Sequence, residues 1–295
     1  MDSVTHGAAG SMTFRAFAED LPGDQWRKHV RRHWSPPSDD DEPDLFRRWS
    51  TLQSIAPRLV PLWLELLRST GPADPALAAH LTHVDLPLPV VHGPQGTAGR
   101  ALVRNLACEP DRFEGTLWRS RLTHRRVLGM TAGLWGLFDG MNDDGLVVST
   151  TAGTGRCRGG LSGPILVRHL LEHCATVADV DEALPTWQTG VAHDLTVLDA
   201  TGARAAYRLV PDRPVHRGRT LHWDSTEEGG LAMSCPPLFR EDGLVDTVYT
   251  AVYRPADGEV TLMWHGCEWT LGFDRFESGE LVVALPHRQD WPGFG

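Results

Sequence analysis

The rhythm of hydrophobic and polar positions changes along this chain, and the change divides it. Between Phe14 and Trp34 the apolar residues Trp26, Val30 and Trp34 recur at i, i+4 and i+8 behind the turn-forming Leu21-Pro22-Gly23-Asp24, which predicts a short amphipathic helix. The spacing stays helical from Leu45 to Ser69, where Pro57 and Pro61 restrict the turns. Two or three helices are thus expected ahead of any sheet. Between them, Ser35-Pro36-Pro37-Ser38-Asp39-Asp40-Asp41-Glu42-Pro43 combines breakers with an acidic run and reads as a solvated loop. Residues 1–11 read as a disordered lead.

From Val90 the pattern shifts to short strands. ALVRNLAC (101–108), GTLWRSRL (115–122) and RRVLGMTA (125–132) are strand candidates separated by turn residues. The stretch Val127 to Thr150 then sets two apolar runs around Asn142-Asp143-Asp144-Gly145, residues that tolerate positive φ, and so predicts a buried β-hairpin. Gly129, Gly133, Gly136 and Gly140 make its first arm part irregular and close-packed. The glycine-rich stretch from Gly153 to Gly163 has no G-x-x-x-x-G-K-[ST] spacing and is not a P-loop. Pro164 opens a helix through Cys174, and Thr176 N-caps a second one to Leu184. Hairpins follow around Asp199-Ala200-Thr201-Gly202 and Asp257-Gly258, and GELVVAL (279–285) adds a further strand. Periodicity alone therefore gives an α+β chain with layered sheets.

Composition removes several classes of function. The 295 residues carry a net charge of -10, which argues against a general nucleic-acid or anionic-membrane surface; Lys28 is the sole lysine, so nearly all positive charge is arginine. No run reaches the roughly 18 to 20 apolar residues of a membrane span, and Met1 to Ser11 lacks the apolar core of a secretory signal. A cytoplasmic location is expected. Cys108, Cys157, Cys174, Cys235 and Cys267 are odd in number and include no C-x-x-C pair, which argues against a disulfide framework and a thiolate zinc cluster.

Four separated segments carry a family resemblance: GLWGLFDGMNDDGLVVS (133–149), GPILVRHLLEHCATVADVDEAL (163–184), DLTVLDATGARAAYRLVPDRP (194–214) and TVYTAVYRPADGEVTLMW (247–264). In order, they resemble the linear acyltransferase and amidohydrolase family of the isopenicillin-N acyltransferase (peptidase C45-like) type, over about Phe14 to about Phe276. The resemblance implies the N-terminal nucleophile hydrolase fold, a four-layer αββα sandwich. With an N-terminal helical extension, this divides the chain into a lead (1–11), a helical region (12–89) and an αββα domain (90–295). In that family a cysteine at a strand start, written G-C-[ST], acts as nucleophile roughly a dozen residues before a strand carrying R-N-x-D, with a nearby amine as base. Here the R-N strand is Arg104-Asn105-Leu106-Ala107, and counting back places Gly93 in the nucleophile slot. The family's aspartate falls on Ala107, its oxyanion asparagine on Asp194, and its T-N-H segment on Leu221-His222-Trp223-Asp224. The resemblance thus implies a member without the usual cysteine and without self-processing.

Cys108, next to the family's aspartate position, and Thr82 and Thr97, on either side of the nucleophile slot, are the candidate replacement nucleophiles, and each reads more simply as core. His193, Asp194, His222 and Asp224 fall where the family places active-site segments; they suit acid-base chemistry, a divalent metal, or structural histidines, the last being favoured. Adjacent strand residues face opposite ways, so only part of this group can converge. No metal or cofactor is expected. Gly93, Arg104, Asn105, Trp135 and Trp223 are the candidate substrate-binding residues. Arg104 needs an anionic partner, and Asp194 is the expected one; an unpaired Arg104 would instead anchor a substrate carboxylate. Two functions remain open. One is a pseudoenzyme or binding protein for a small amide, acyl or peptide-like molecule, with a homodimer compatible with the chain. The alternative is a repurposed enzyme of specialised metabolism using His/Asp chemistry in the inherited pocket.

Overall fold

The computed structural model describes residues 10–36, 44–71, 74–86, 88–89, 91, 93, 95–152, 159–218, 246–264 and 266–285. Strand β1 (Gly10–Ala18) is followed by helices α1 (Asp24–His33), α2 (Leu45–Ile55), α3 (Val60–Thr70) and α4 (Pro75–His80). Next come β2 (Gln95–Ala98), β3 (Ala101–Cys108), β4 (Thr116–Ser120), β5 (Val127–Ala132), β6 (Gly136–Asn142) and β7 (Val147–Ala152). Helices α5 (Gly163–His173) and α6 (Val177–Ala183) lead to β8 (His193–Leu198), β9 (Arg204–Leu209) and β10 (His216–Gly218). The last described elements are β11 (Asp246–Arg254), β12 (Glu259–Trp264), β13 (Cys267–Gly272) and β14 (Gly279–Leu285). Among the described residues no helix is long and apolar enough to cross a membrane.

The strands form two sheets, a nine-stranded one in the order β10-β9-β8-β7-β6-β5-β4-β1-β14 and a five-stranded one in the order β13-β12-β11-β3-β2. Each face of the larger sheet has its own core. On one face Trp118, Val148, Leu195 and Val197 meet residues of all six helices, including Trp26, Leu52, Leu66, Leu77, Ile165 and Val180. On the other face Phe14, Leu117, Leu128, Phe138 and Leu198 meet Leu106, Tyr249, Tyr253 and Leu262 of the smaller sheet. The chain is therefore α+β, layered helices on sheet on sheet. All six described helices pack on the outer face of the larger sheet, so a helical layer on the outer face of the smaller sheet, the fourth of an αββα sandwich, lies outside what the described residues show.

The N-terminal expectation needs correction. Residues 1–9 of the anticipated lead lie outside the described residues, but Gly10 and Ser11 already belong to β1, which runs antiparallel to β14 and parallel to β4. Phe14 and Ala16 enter the inter-sheet core while Phe17 enters the helical one. A strand buried on both faces loses the apolar-polar alternation by which strands are read. Helices α1 to α4 also share a core with the sheet, so residues 12–89 do not form a helical region set apart from it. Trp26 makes the join: its Nε1 donates to Leu66 O at 3.1 Å and its ring stacks on Trp118 with centroids 5.5 Å apart.

The central stretch folds as a three-strand meander, β5-β6-β7, where a single hairpin was predicted. Its irregular first arm is a tight turn at Gly133 and Leu134, with φ of 62° and 76°. A leucine in the left-handed region is strained, by roughly 1–3 kcal/mol, and needs surroundings that hold it there. Buried side chains do so. Leu134 N donates to Glu114 Oε1 at 2.8 Å, His29 Nε2 lies 3.1 Å from Leu134 O, and His83 Nε2 lies 3.0 Å from Gly133 O. Arg168 Nε donates to Trp135 O at 2.9 Å. Burial pushes the Glu114 carboxyl up, but His29, Thr131 and the Leu134 amide outweigh it and bring it to about 2. At the second turn Gly145 has φ 85°, as the Asn-Asp-Asp-Gly cluster predicts. Asn142 ties that turn to α5, its Nδ2 donating to Leu171 O at 2.9 Å and to the C-cap carbonyl Cys174 O at 2.8 Å, which satisfies two carbonyls at the end of the helix. Helix α6 opens with a Thr176/Asp179 capping box.

Candidate functional site

Where β8, β9 and β10 end the nine-stranded sheet, alternate residues on the face towards the smaller sheet are polar or small. The register sets Thr151, Asp194, Arg208 and His216 in one cross-strand row and Thr196, Ala206 and Gly218 in the next. Gly93 and Gln95 face this floor, and together they enclose a pocket of about 350 Å³. Asp194 pairs with Arg208 across the strands at 3.2 Å, with both side chains substantially exposed.

Behind the pocket runs a buried polar chain. Gln95 Nε2 donates to the backbone carbonyl of Asp194 at 3.2 Å, while its Oε1 accepts from Arg104 Nη1 at 2.9 Å and Ser149 Oγ at 2.7 Å. Arg104 is 0% exposed; Nη1 also donates to Ser149 Oγ at 2.9 Å, and Nε lies 3.4 Å from Asp139 Oδ2. The hydroxyl of Tyr253 donates to Asp139 Oδ1 at 2.5 Å and that of Tyr249 to Oδ2. Burial raises the Asp139 carboxyl, and Arg104 and the two phenols oppose that rise. The partner expected for Arg104, Asp194, is thus replaced by Asp139. The cause is geometric: Arg104 projects into the inter-sheet core, where β6 supplies the carboxylate, whereas Asp194 sits on the pocket floor beside Arg208.

The other sequence candidates fall apart into different places. His193 and Asp194 are neighbours in β8 and point to opposite faces, so they cannot act together. His193 is 3% exposed on the helical side, and burial lowers its imidazole to about 4. Its Nδ1 lies 3.0 Å from Val191 O, which requires the Nδ1 proton and leaves Nε2 an acceptor without a hydrogen-bond partner among the described residues. Cys108 is buried in the inter-sheet core, and desolvation pushes its thiol up to about 12, which rules out a thiolate nucleophile at neutral pH. Thr82 Oγ1 donates to Ala79 O at 2.6 Å and Thr97 Oγ1 accepts from Arg204 at 3.2 Å, both buried. Asn105 faces away from Arg104 and is engaged by Thr247 and Thr250 at 3.0 and 2.8 Å. Trp135 is core, not pocket wall: it is 0% exposed and its Nε1 donates to Leu81 O at 2.8 Å. His222, Trp223 and Asp224 lie outside the described residues. Among the described residues no group of three or more His, Cys, Asp or Glu side chains gathers to hold a metal.

Gly93 keeps its place at the pocket, with a constraint that the sequence does not reveal. Its φ is 111°, and a Cβ there would stand 1.9 Å from the carbonyl oxygen of Asn105. Gln95, Asp139, Ser149, Tyr249, Tyr253, Arg208 and His216 were not singled out from sequence. Asp139 alone left a signal, as a carboxylate inside a buried apolar strand demands a partner.

No curated protein matches the chain. Among solved structures, a mutant of conjugated bile acid hydrolase from Clostridium perfringens is similar at 11% identity, covering 56% of this chain and 82% of that one, with a TM-score of 0.35. Penicillin V acylase from Agrobacterium tumefaciens is similar at 12% identity, covering 65% and 81%, with a TM-score of 0.38. Overlaps this loose carry neither protein's activity across. Residues 95–222, which run from β2 through the pocket floor, match the family model described as acyl-coenzyme A:6-aminopenicillanic acid acyl-transferase, so the likeness spans the strands that build the pocket.

Proposed function

We propose that this chain is a ligand-binding member of the acyltransferase and amidohydrolase family, one that has no cysteine nucleophile at the family position, does not cleave itself there, and holds a small amide, acyl or peptide-like molecule in the pocket. The observation that carries this reading is Gly93. The slot that the resemblance assigns to the nucleophile lies at the pocket, yet a Cβ there would stand 1.9 Å from Asn105 O. No nucleophilic side chain fits that backbone, and self-cleavage before the residue needs a side-chain oxygen or sulfur. A second support is Asp194 on the pocket floor: a carboxylate repels a developing oxyanion where the family has an asparagine.

The test is to incubate purified protein with a panel of simple acyl amides and thioesters, and to follow turnover, intact mass and retained small molecules by native mass spectrometry. Full-length mass, no turnover and a retained or titratable ligand are expected. Cleavage between His92 and Gly93, or hydrolysis blocked by thiol alkylation, would overturn the reading.

A further inference from the structure

We propose that the Asp194 and Arg208 pair on the pocket floor recognises the α-amino acid end of a ligand, Asp194 taking its ammonium group and Arg208 its carboxylate. This rests on the binding function proposed above and assigns the chemistry of the ligand at that site. The two residues are direct cross-strand partners on β8 and β9, and adjacent strands stand about 4.7–4.9 Å apart. Arg208 Nη1 reaches both carboxylate oxygens of Asp194, at 3.3 and 3.2 Å, so two opposite charges lie side by side at the pocket, where an ammonium and a carboxylate carried on one carbon can part them.

Their setting differs from that of the other arginine and aspartate pair nearby. Arg104 and Asp139 are both fully buried, whereas the side chains of Arg208 and Asp194 are 61% and 47% exposed. An exposed ion pair is worth only about 0–1 kcal/mol, so opening it to admit a zwitterion costs little, and two ion pairs then replace one. A ligand with a single charge meets one complementary group and one repelling group, so the pair also discriminates. The floor is held in place from behind. Gln95, itself anchored by Arg104 and Ser149, holds the Asp194 carbonyl at 3.2 Å. Around the pair the pocket is lined by Thr151 and Thr196, while the small Ala206 and Gly218 leave room for the body of the ligand.

The experiment uses the full chain and three probes with one side chain: L-norleucine, N-acetyl-L-norleucine and L-norleucinamide. Titration calorimetry gives each Kd for the wild type, Asp194→Asn and Arg208→Gln, with thermal melts to show that the variants fold. The free amino acid is expected to bind at least about tenfold more tightly than either blocked form. Asp194→Asn should remove the penalty for acetylation, and Arg208→Gln the penalty for amidation. Equal binding of all three probes, binding by none, or variants that leave the order unchanged would each overturn the proposal. Failure of the non-catalytic reading has a different signature, turnover of acyl amides by the wild type, whatever the order of the probes.

Discussion

Replacing Gly93 by cysteine, together with Asp194→Asn, restores on paper the two side chains that the family resemblance assigns to catalysis, and the structure says that the chain will resist it. A non-glycine residue at φ 111° leaves the favoured backbone regions, at a cost of about 1–2 kcal/mol. The new Cβ would also overlap Asn105 O at 1.9 Å, and because that oxygen belongs to the backbone of β3 it cannot simply rotate away. Overpacking of this kind costs about 1–3 kcal/mol more. The sum, about 2–5 kcal/mol, corresponds to a drop in Tm of about 4–10 °C for a chain of this size. Thermal and urea unfolding of Gly93→Cys, with and without Asp194→Asn, measure the cost, and hydrolysis of acyl amides and thioesters measures any gain. Lower stability with no turnover is expected. A double variant that melts like the wild type and hydrolyses the panel would refute both the closure of the slot and the non-catalytic function.

Three further outcomes follow from other parts of the structure. Asp139→Ala leaves Arg104 buried without its carboxylate and should cost about 3–5 kcal/mol in urea unfolding, whereas Asp139→Leu combined with Arg104→Met should recover much of that loss. Gly145→Val places a β-branched residue at φ 85° with its Cβ 2.8 Å from that of Ala200, and should destabilise by about 2 kcal/mol without changing ligand affinity at the distant pocket. His83 and His193 are held neutral by burial, at about 3 and about 4, against 6.5 in the unfolded chain. The unfolded state therefore binds protons first, so stability is full above pH 6.5 and falls as pH drops towards 4; each group should remove about 2 kcal/mol between pH 7 and 5, read as a shift in the urea midpoint.

What the sequence shows of the fold depends on whether a residue's neighbours in the chain are also its neighbours in space. Turns declare themselves locally, and the clusters at Asn142 to Gly145, Asp199 to Gly202 and Asp257-Gly258 all sit between paired strands, with positive φ at their glycines. Helices α5 and α6 announce their starts through Pro164 and Thr176. Strand β1 gives no such notice, because its pattern answers to two cores at once, and its pairing partners lie about a hundred or more residues away in β4 and β14. The turn at Leu134 is hidden for a related reason. Nothing local favours a leucine there; Glu114, His29 and His83, drawn from three other parts of the chain, impose it.

The candidate site follows the same logic, one level up. The need for an anion at Arg104 was legible, since an arginine within an apolar strand must meet one. Which anion was not, for both Asp139 and Asp194 lie on strands of the facing sheet and only the strand order separates them. With the order β8-β7-β6 fixed, Asp139 on β6 stands under Arg104 and Asp194 on β8 stands at the pocket, two strands away. That displacement changes the chemistry. Had Asp194 paired with Arg104, the pocket would be plugged by a buried salt bridge; as it is, Asp139, held by two tyrosine hydroxyls, faces the buried arginine from within, and the pocket keeps an open pair of its own. The polar chain from Asp139 through Arg104 to Gln95 then backs the pocket floor, and Asp194 and Arg208 stand exposed upon it.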